Sequence, residues 1–285
     1  MSVRIMNMQP DTLVGLPDGD PLTSLEPEQI AAVARSVLVV ILHRKSEGVA
    51  APLLTAAGAW GWWGAPFAPM EDSWGGVMDV TRANIARTFM QYASERPDIR
   101  FLCMIDNDEE IAWSAPYRLA LWDLPVVTGV VCSYGTDRGI YANFSVADSV
   151  GISHFPSTRY TKRLPGKGIR KVVGAGGGLL CIRKDVFAAI DAGRDKLLDA
   201  GLGESPFEIP ASVRRESFET GTLKQSEDTA FSKQCAALGI DIYVDFAVRA
   251  KHFKVLPVEW PRDLIDENLD ARNWQVDARD YHHGE

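Results

Sequence analysis

The stretch FLCMIDNDEEI, residues 101–111, sets the tightest limit on how this chain can fold. Its apolar run, Phe101 to Ile105, leads straight into Asp106-Asn107-Asp108. A short, unbroken apolar run fits a strand covered on both faces. Carboxylates crowded at the end of such a strand are costly unless something cationic sits there. Side chains two apart in extended backbone point the same way. Asp106 and Asp108 are therefore expected to face one ion together. Two carboxylates leave room around Mg²⁺ or Mn²⁺ for waters and phosphate oxygens. A capping turn would also use an Asp here, but Asp106, Asn107, Asp108, Glu109 and Glu110 concentrate more charge than a cap needs.

The rest of the chain alternates strands with helices. VLVVIL (37–42) reads as a buried strand, preceded by a short helix over Ser24–Arg35 with Pro27 in its first turn. DVTRANIARTFMQYA (79–93) spaces Val80, Ala83, Ala86, Phe89, Met90 and Ala93 as a helix does. A short helix over 113–121 and a strand over 126–131 follow. An exposed segment is expected to about 171, then a glycine-rich strand over 172–182 and a helix over 184–200. Residues 201–225 read as loop, 226–239 as a helix ending at Gly239, and 240–245 as a strand. Residues 58–76 hold four tryptophans among glycines and match no regular element. Alternation of this kind predicts an α/β domain with a mostly parallel sheet and helices on both faces. Ligands of such sheets sit at the carboxyl ends of strands, where Asp106 and Asp108 lie. The expected division is a lead-in over 1–35, a catalytic domain over 36–257 and an acidic C-terminal tail over 258–285 that wraps the domain or frays.

Further motifs carry chemistry only in combination. Ser226-Glu227-Asp228 opens a helix; acids there complement the helix dipole, and one of them could also act as a general base. His252 follows a strand and would suit Mn²⁺ as a neutral imidazole. Gly174-Ala175-Gly176-Gly177-Gly178 is no dinucleotide fingerprint, since Leu179 stands where the last glycine belongs; missing side chains there permit close approach, by a ligand or by packing. RYTKRLPGKGIRK (159–171) carries Arg159, Lys162, Arg163, Lys167, Arg170 and Lys171 with no acid, in a chain of net charge −8. That contrast favours an anionic partner locally, and a mobile solvated loop otherwise. Trp60, Trp62, Trp63 and Trp74 could stack on a base or sugar, or pack.

Bulk properties exclude other classes. The 285 residues supply one large domain or two small ones. The longest apolar run, Val37–Leu42, is far too short to span a bilayer, and the N-terminus lacks the basic start and long apolar stretch of a secretory signal, so a cytoplasmic location is expected. Cys103, Cys132, Cys181 and Cys235 are too widely spaced for a zinc knuckle and read as buried thiols.

Over residues 36–254 the ordered set resembles the GT-A class of nucleotide-sugar glycosyltransferases, especially its family-2-like branch. The set comprises Arg82-x-Asn84, Asp106-x-Asp108, the glycine-rich strand, Glu227-Asp228, Gly239-x-x-Ile242-Tyr243-x-Asp245 and His252. The resemblance implies a single Rossmann-like GT-A domain and a nucleoside-diphosphate sugar, UDP-linked by preference, as donor. It implies Mn²⁺ or Mg²⁺ on Asp108 and His252, with Asp106 on the metal or the ribose. Arg82, Asn84, Gly176 and Gly177 would lie by the donor. Asp228, with Glu227, would supply the base of an inverting transfer. GT-A enzymes of bacteriophages, acting in the host cytoplasm on hydroxymethylated pyrimidines in DNA, also resemble this chain. By that likeness Trp62, Trp63, Lys162, Arg163, Lys167 and Arg170 would contact a DNA acceptor. A saccharide or protein acceptor is the alternative. A nucleotidyltransferase would share the metal carboxylates, although LHRKSEGVA (42–50) is a poor match to its glycine-rich loop, and a non-catalytic sugar-binding protein would need neither base nor metal.

Overall fold

The computed structural model describes residues 25–43, 49, 51–62, 67–71, 78–135, 139–147, 153–158, 163–253, 257–271 and 274. The first half alternates as expected: α1 (Pro27–Arg35), β1 (Val37–His43), α2 (Ala51–Trp62), β2 (Phe67–Glu71), α3 (Met78–Glu95), β3 (Phe101–Asp106). Then come β4 (Glu109–Glu110), α4 (Ala115–Leu121) and β5 (Val126–Gly135). An excursion of short strands follows: β6 (Gly139–Ala142), β7 (Phe144–Ala147), β8 (Ser153–His154), β9 (Leu164–Lys167), β10 (Ile169–Val172) and β11 (Gly174–Ala175). β12 (Leu179–Arg183) returns to the sheet. It leads to α5 (Lys184–Ala192), α6 (Arg194–Asp199), α7 (Ala211–Thr220), α8 (Glu227–Leu238), β13 (Ile242–Phe253), β14 (Pro257–Val258) and β15 (Ile265–Asp270).

The central sheet runs β10-β13-β5-β12-β3-β1-β2. It is mixed, not mostly parallel. β1 is parallel to β2 and β3, and β5 to β13, but β12 is antiparallel to both of its neighbours and β10 to β13. The reason lies at the glycine run. The amide of Asp106, at the carboxyl end of β3, donates to the carbonyl of Gly178 at 3.0 Å, so β12 starts where β3 stops and can only run back.

Both faces of the sheet are covered. Val37, Val39 and Ile41 of β1 pack with Ala34 of α1, Leu53 of α2 and Leu119 of α4. The alternate residues Leu38, Val40 and Leu42 pack with Ile85 and Phe89 of α3, Phe187 of α5 and Phe231 of α8. Strand order β3-β1-β2 reverses direction beside β1, making a topological switch point at the carboxyl ends of β1 and β3. Leu42 and Asp106 are register partners there.

Several expectations shift for identifiable reasons. The tryptophan-rich stretch yields part of α2 and the strand β2, while Trp63 and Trp74 lie outside the described residues. The described part of residues 132–171, expected to be exposed loop, holds short strands, antiparallel to their partners except β9, which runs parallel to β15. The 184–200 helix breaks at Gly193, where an added Cβ would sit 2.4 Å from Leu238 Cδ2. Residues 211–220 form α7 inside the expected loop. The described part of the C-terminal segment packs on the domain: β15 pairs with β9, and Trp260, Ala271 and Trp274 join the core. The Ser24 cap falls outside the described residues; Glu26 and Gln29 form a reciprocal capping box instead. Among the described residues no helix is long and apolar enough to cross a membrane.

All four cysteines are free and buried. Cys103 and Cys181 are direct partners across β3 and β12. Burial pushes the Cys132 and Cys235 thiols up to about 12, and buried thiols of this kind are inert. Native protein should therefore leave all four thiols unreacted with a thiol-exchange reagent, and denatured protein should titrate all four. Fast labelling of any cysteine in the native state would contradict this burial.

Candidate metal centre and adjoining cleft

β3 does not continue in extended form through its acids. It ends at Asp106, residues 107–108 form a turn, and the two-residue β4 then pairs antiparallel with the far end of β13. The expectation that Asp106 and Asp108 point the same way fails, because the turn breaks the two-residue period. Their partners differ accordingly. Asp106 Oδ1 accepts from Arg82 Nη2 at 2.8 Å. Asp108 Oδ2 lies 2.9 Å from His252 Nε2.

The pairing of β4 with β13 sets His252 opposite Glu109. Asp108, Glu109 and His252 each offer a donor atom, all within 4.8 Å of one another. Glu109 is fully buried and His252 nearly so. His252 Nδ1 lies 3.1 Å from the carbonyl oxygen of Cys132, which can only accept, so Nδ1 carries a proton and Nε2 faces Asp108. A metal-binding histidine is commonly oriented in this way. Adjacent ligands on an ion with bonds of about 2.1 Å lie about 3 Å apart, which matches the Asp108–His252 spacing. A buried carboxylate beside a second one also favours a cation. A divalent ion thus fits Asp108, Glu109 and His252. Glu109 is the member the sequence pattern did not single out, although it sits in the acidic run; only the β4–β13 pairing reveals its place.

Arg82 fills an inward position of α3. The buried stripe there is Arg82, Ile85, Ala86, Phe89 and Ala93, rotated from the expected apolar set. Its guanidinium is 1% exposed. Besides Asp106 it meets the Gly177 carbonyl at 3.1 Å and Glu227 Oε1 at 3.3 Å. Surrounded in this way, it positions Asp106 and Glu227 and has no face left for a ligand. Asn84 points elsewhere and accepts from Arg87 at 2.9 Å, since residues two apart on a helix do not share a face.

At the start of α8 the two acids diverge. Glu227 turns in to Arg82, and burial, with Asp228 beside it, pushes its carboxyl up despite the guanidinium. Asp228 lines a cleft of about 500 Å³ together with Tyr141, Asn143, Phe155, Val173 and Gly176. Its Oδ1 accepts from the Ser226 hydroxyl and from the Thr229 amide, the latter at 2.7 Å, which fixes the carboxylate.

The glycine run joins these parts. An added Cβ would sit 1.9 Å from the Asn143 amide at Gly176, 2.4 Å from Arg82 Nη2 at Gly177 and 2.8 Å from Glu109 Oε1 at Gly178. The space left by the missing side chains is filled by the chain's own groups, so Gly176 and Gly177 serve packing. Consecutive glycines thereby touch the cleft, the arginine link and the Asp108–Glu109–His252 cluster in turn. Gly177→Ala should displace a guanidinium that its partners hold in place, costing about 1–3 kcal/mol as overpacking does. The urea midpoint measures this, and an unchanged midpoint would mean that Arg82 moves freely.

The residues expected at an acceptor do not gather here. Trp62 is 85% exposed at the end of α2. Arg163 pairs with Asp266 at 3.5 Å, Lys167 is the register partner of Asp270, and Arg170 donates to the Trp274 carbonyl with its guanidinium 5.0 Å over that ring. None of these four lines the cleft beside Asp228. Trp63 and Lys162 lie outside the described residues.

Fold and site define an α/β protein with a candidate divalent-metal centre at the carboxyl edge of a mixed sheet and a cleft beside it. No protein-family model and no curated protein matches the chain. Among solved structures it is similar to the crystal structure of A197 from STIV, with a TM-score of 0.43 and 17% identity over 76% of this chain and 85% of that one.

Proposed function

We propose that this chain transfers a sugar from a nucleoside-diphosphate sugar to an acceptor hydroxyl. The observation that carries the reading is the adjacency, through Gly176–Gly178, of the Asp108–Glu109–His252 cluster and the Asp228 cleft. One part suits a diphosphate with its cation, and the other suits a hydroxyl and a base. The switch point between β1 and β3 is where an α/β sheet takes a nucleotide.

Asp108, Glu109 and His252 would hold Mn²⁺ or Mg²⁺, which offsets the negative charge gained by a departing diphosphate. Asp106, 29% exposed at the carboxyl end of β3, gives one oxygen to Arg82, leaving the other for a ribose hydroxyl. Arg82 keeps Asp106 and Glu227 in register. Asp228, held by Ser226 and Thr229, accepts the proton of the acceptor hydroxyl as that oxygen attacks the anomeric carbon. Attack from the side opposite the leaving group inverts the configuration there.

The test is release of nucleoside diphosphate from a panel of nucleotide-sugars, UDP-linked ones first, with Mn²⁺ and with a chelator. Release with the metal that chelation abolishes supports the reading. No release from any donor, or release indifferent to the chelator, refutes it. Formation of pyrophosphate instead would point to a nucleotidyltransferase.

A further inference from the structure

The cleft beside Asp228 has a chemical character of its own. We infer that it takes a neutral saccharide, with one ring face on Phe155 and vicinal hydroxyls on the Asn143 amide. As an assignment of the acceptor this rests on the glycosyl-transfer reading; as an assignment of a binding site it does not.

Phe155 is 39% exposed where it lines the cleft. Tyr141 braces it edge-on, with ring centroids 6.2 Å apart and an interplanar angle of 71°. A fixed, partly exposed ring suits the C–H face of a pyranose, which is apolar while its edge carries hydroxyls. Asn143 supplies the polar half. Gly176 lies flat against its side chain, and among the described residues no group hydrogen-bonds its amide. That amide offers two donors and an acceptor, and a pair of neighbouring hydroxyls can use both kinds.

Charge selects further. Among the described residues the cleft holds one carboxylate, Asp228, and one ammonium, Lys233, whose Nζ donates to the Gln225 amide at 2.9 Å. Their formal charges cancel. A nucleic-acid strand is gripped through several cations along its backbone, and Arg163 and Arg170 are turned to the C-terminal segment instead. A lipid chain would leave Asn143 and Ser145 facing hydrocarbon without partners. A neutral polyol satisfies both the ring and the amide.

The experiment has two readouts on the full chain. Saturation-transfer NMR with a panel of neutral mono- and disaccharides reports binding without any donor. Nucleoside-diphosphate release with Mn²⁺ and nucleotide-sugar is then measured with the same saccharides, with duplex DNA carrying hydroxymethylated pyrimidines, and with a Ser/Thr peptide. The expected result is saturation transfer to at least one saccharide, reduced at least tenfold in Asn143→Ala and in Phe155→Ala, with that saccharide also stimulating release. Either variant that retains its far-UV spectrum suffices for the comparison. Absence of saturation transfer to every saccharide overturns the inference, and so does undiminished transfer in both variants. If DNA or peptide alone stimulates release, the acceptor class is wrong while glycosyl transfer stands. If a saccharide binds in the Asn143-dependent way and no donor is turned over, glycosyl transfer falls and the saccharide site stands.

Discussion

Asp108→Asn should cut metal-dependent release of nucleoside diphosphate by a factor of about 100 or more, a loss of about 3 kcal/mol or more of transition-state stabilisation. The substitution keeps the shape of the side chain and removes its charge. His252 Nε2 then faces an amide in place of the carboxylate oxygen now 2.9 Å away. Glu109 remains, but one carboxylate and an imidazole hold a divalent ion less firmly than two carboxylates do. The fold should survive, because the variant removes one of two neighbouring carboxylates and leaves the hydrogen bond from His252 Nδ1 to Cys132 in place. A thermal-shift series separates the two effects. A metal at 100 times its dissociation constant stabilises the wild type by about 2.7 kcal/mol. That metal-induced rise in melting temperature should vanish in Asp108→Asn, while the metal-free melting temperature stays close to wild type. Turnover at the wild-type level would show that the cluster is not the metal centre.

The largest loss of stability should come from Arg118→Leu. Arg118 Nε donates to Asp245 Oδ2 at 2.8 Å. Asp245 is fully buried and also accepts from Trp122 Nε1 and from the Ala247 amide, each at 2.9 Å. Removing the guanidinium strands a buried carboxylate, which costs about 3–5 kcal/mol. Domain stabilities are about 5–15 kcal/mol, so the loss is a sizeable fraction of the whole. Adding Asp245→Asn to Arg118→Leu should restore much of it, because the stranded charge is then gone. Denaturant unfolding of the two singles and the double closes the cycle. A loss under about 1 kcal/mol in Arg118→Leu would show that water reaches Asp245, since exposed pairs contribute no more than that. The effect should also reach the site. Asp245 marks the irregularity in β13, where pairing with β5 jumps from Asp245 to Arg249 before the strand reaches His252.

Much of the frame is legible in local sequence. β1, α3, β3 and the helix ending at Gly239 were all readable, because their signals lie within one element. Apolar runs mark buried strands, the three-four spacing marks α3, and Gly239 has the left-handed φ of +73° that its end position suggests. What remained hidden depends on distant partners. β9 is a strand because β15 lies beside it, a hundred residues later, with Asp266 and Glu267 answering Arg163 and Arg249. A composition count shows six cations there and cannot show that the chain supplies its own anions.

The site divides in the same way. The amino-acid order by itself determined that carboxylates end a buried strand and that Glu227 and Asp228 open a helix, since each is a property of neighbours along the chain; His252, expected after a strand ending at 245, lies inside β13 instead, because β4 pairs with that strand's extension. Only the tertiary structure decided which of these groups meet. The turn at residues 107–108 sends Asp106 to Arg82, and the pairing of β4 with β13 sends Asp108 and Glu109 to His252, through contacts between elements that no local period encodes.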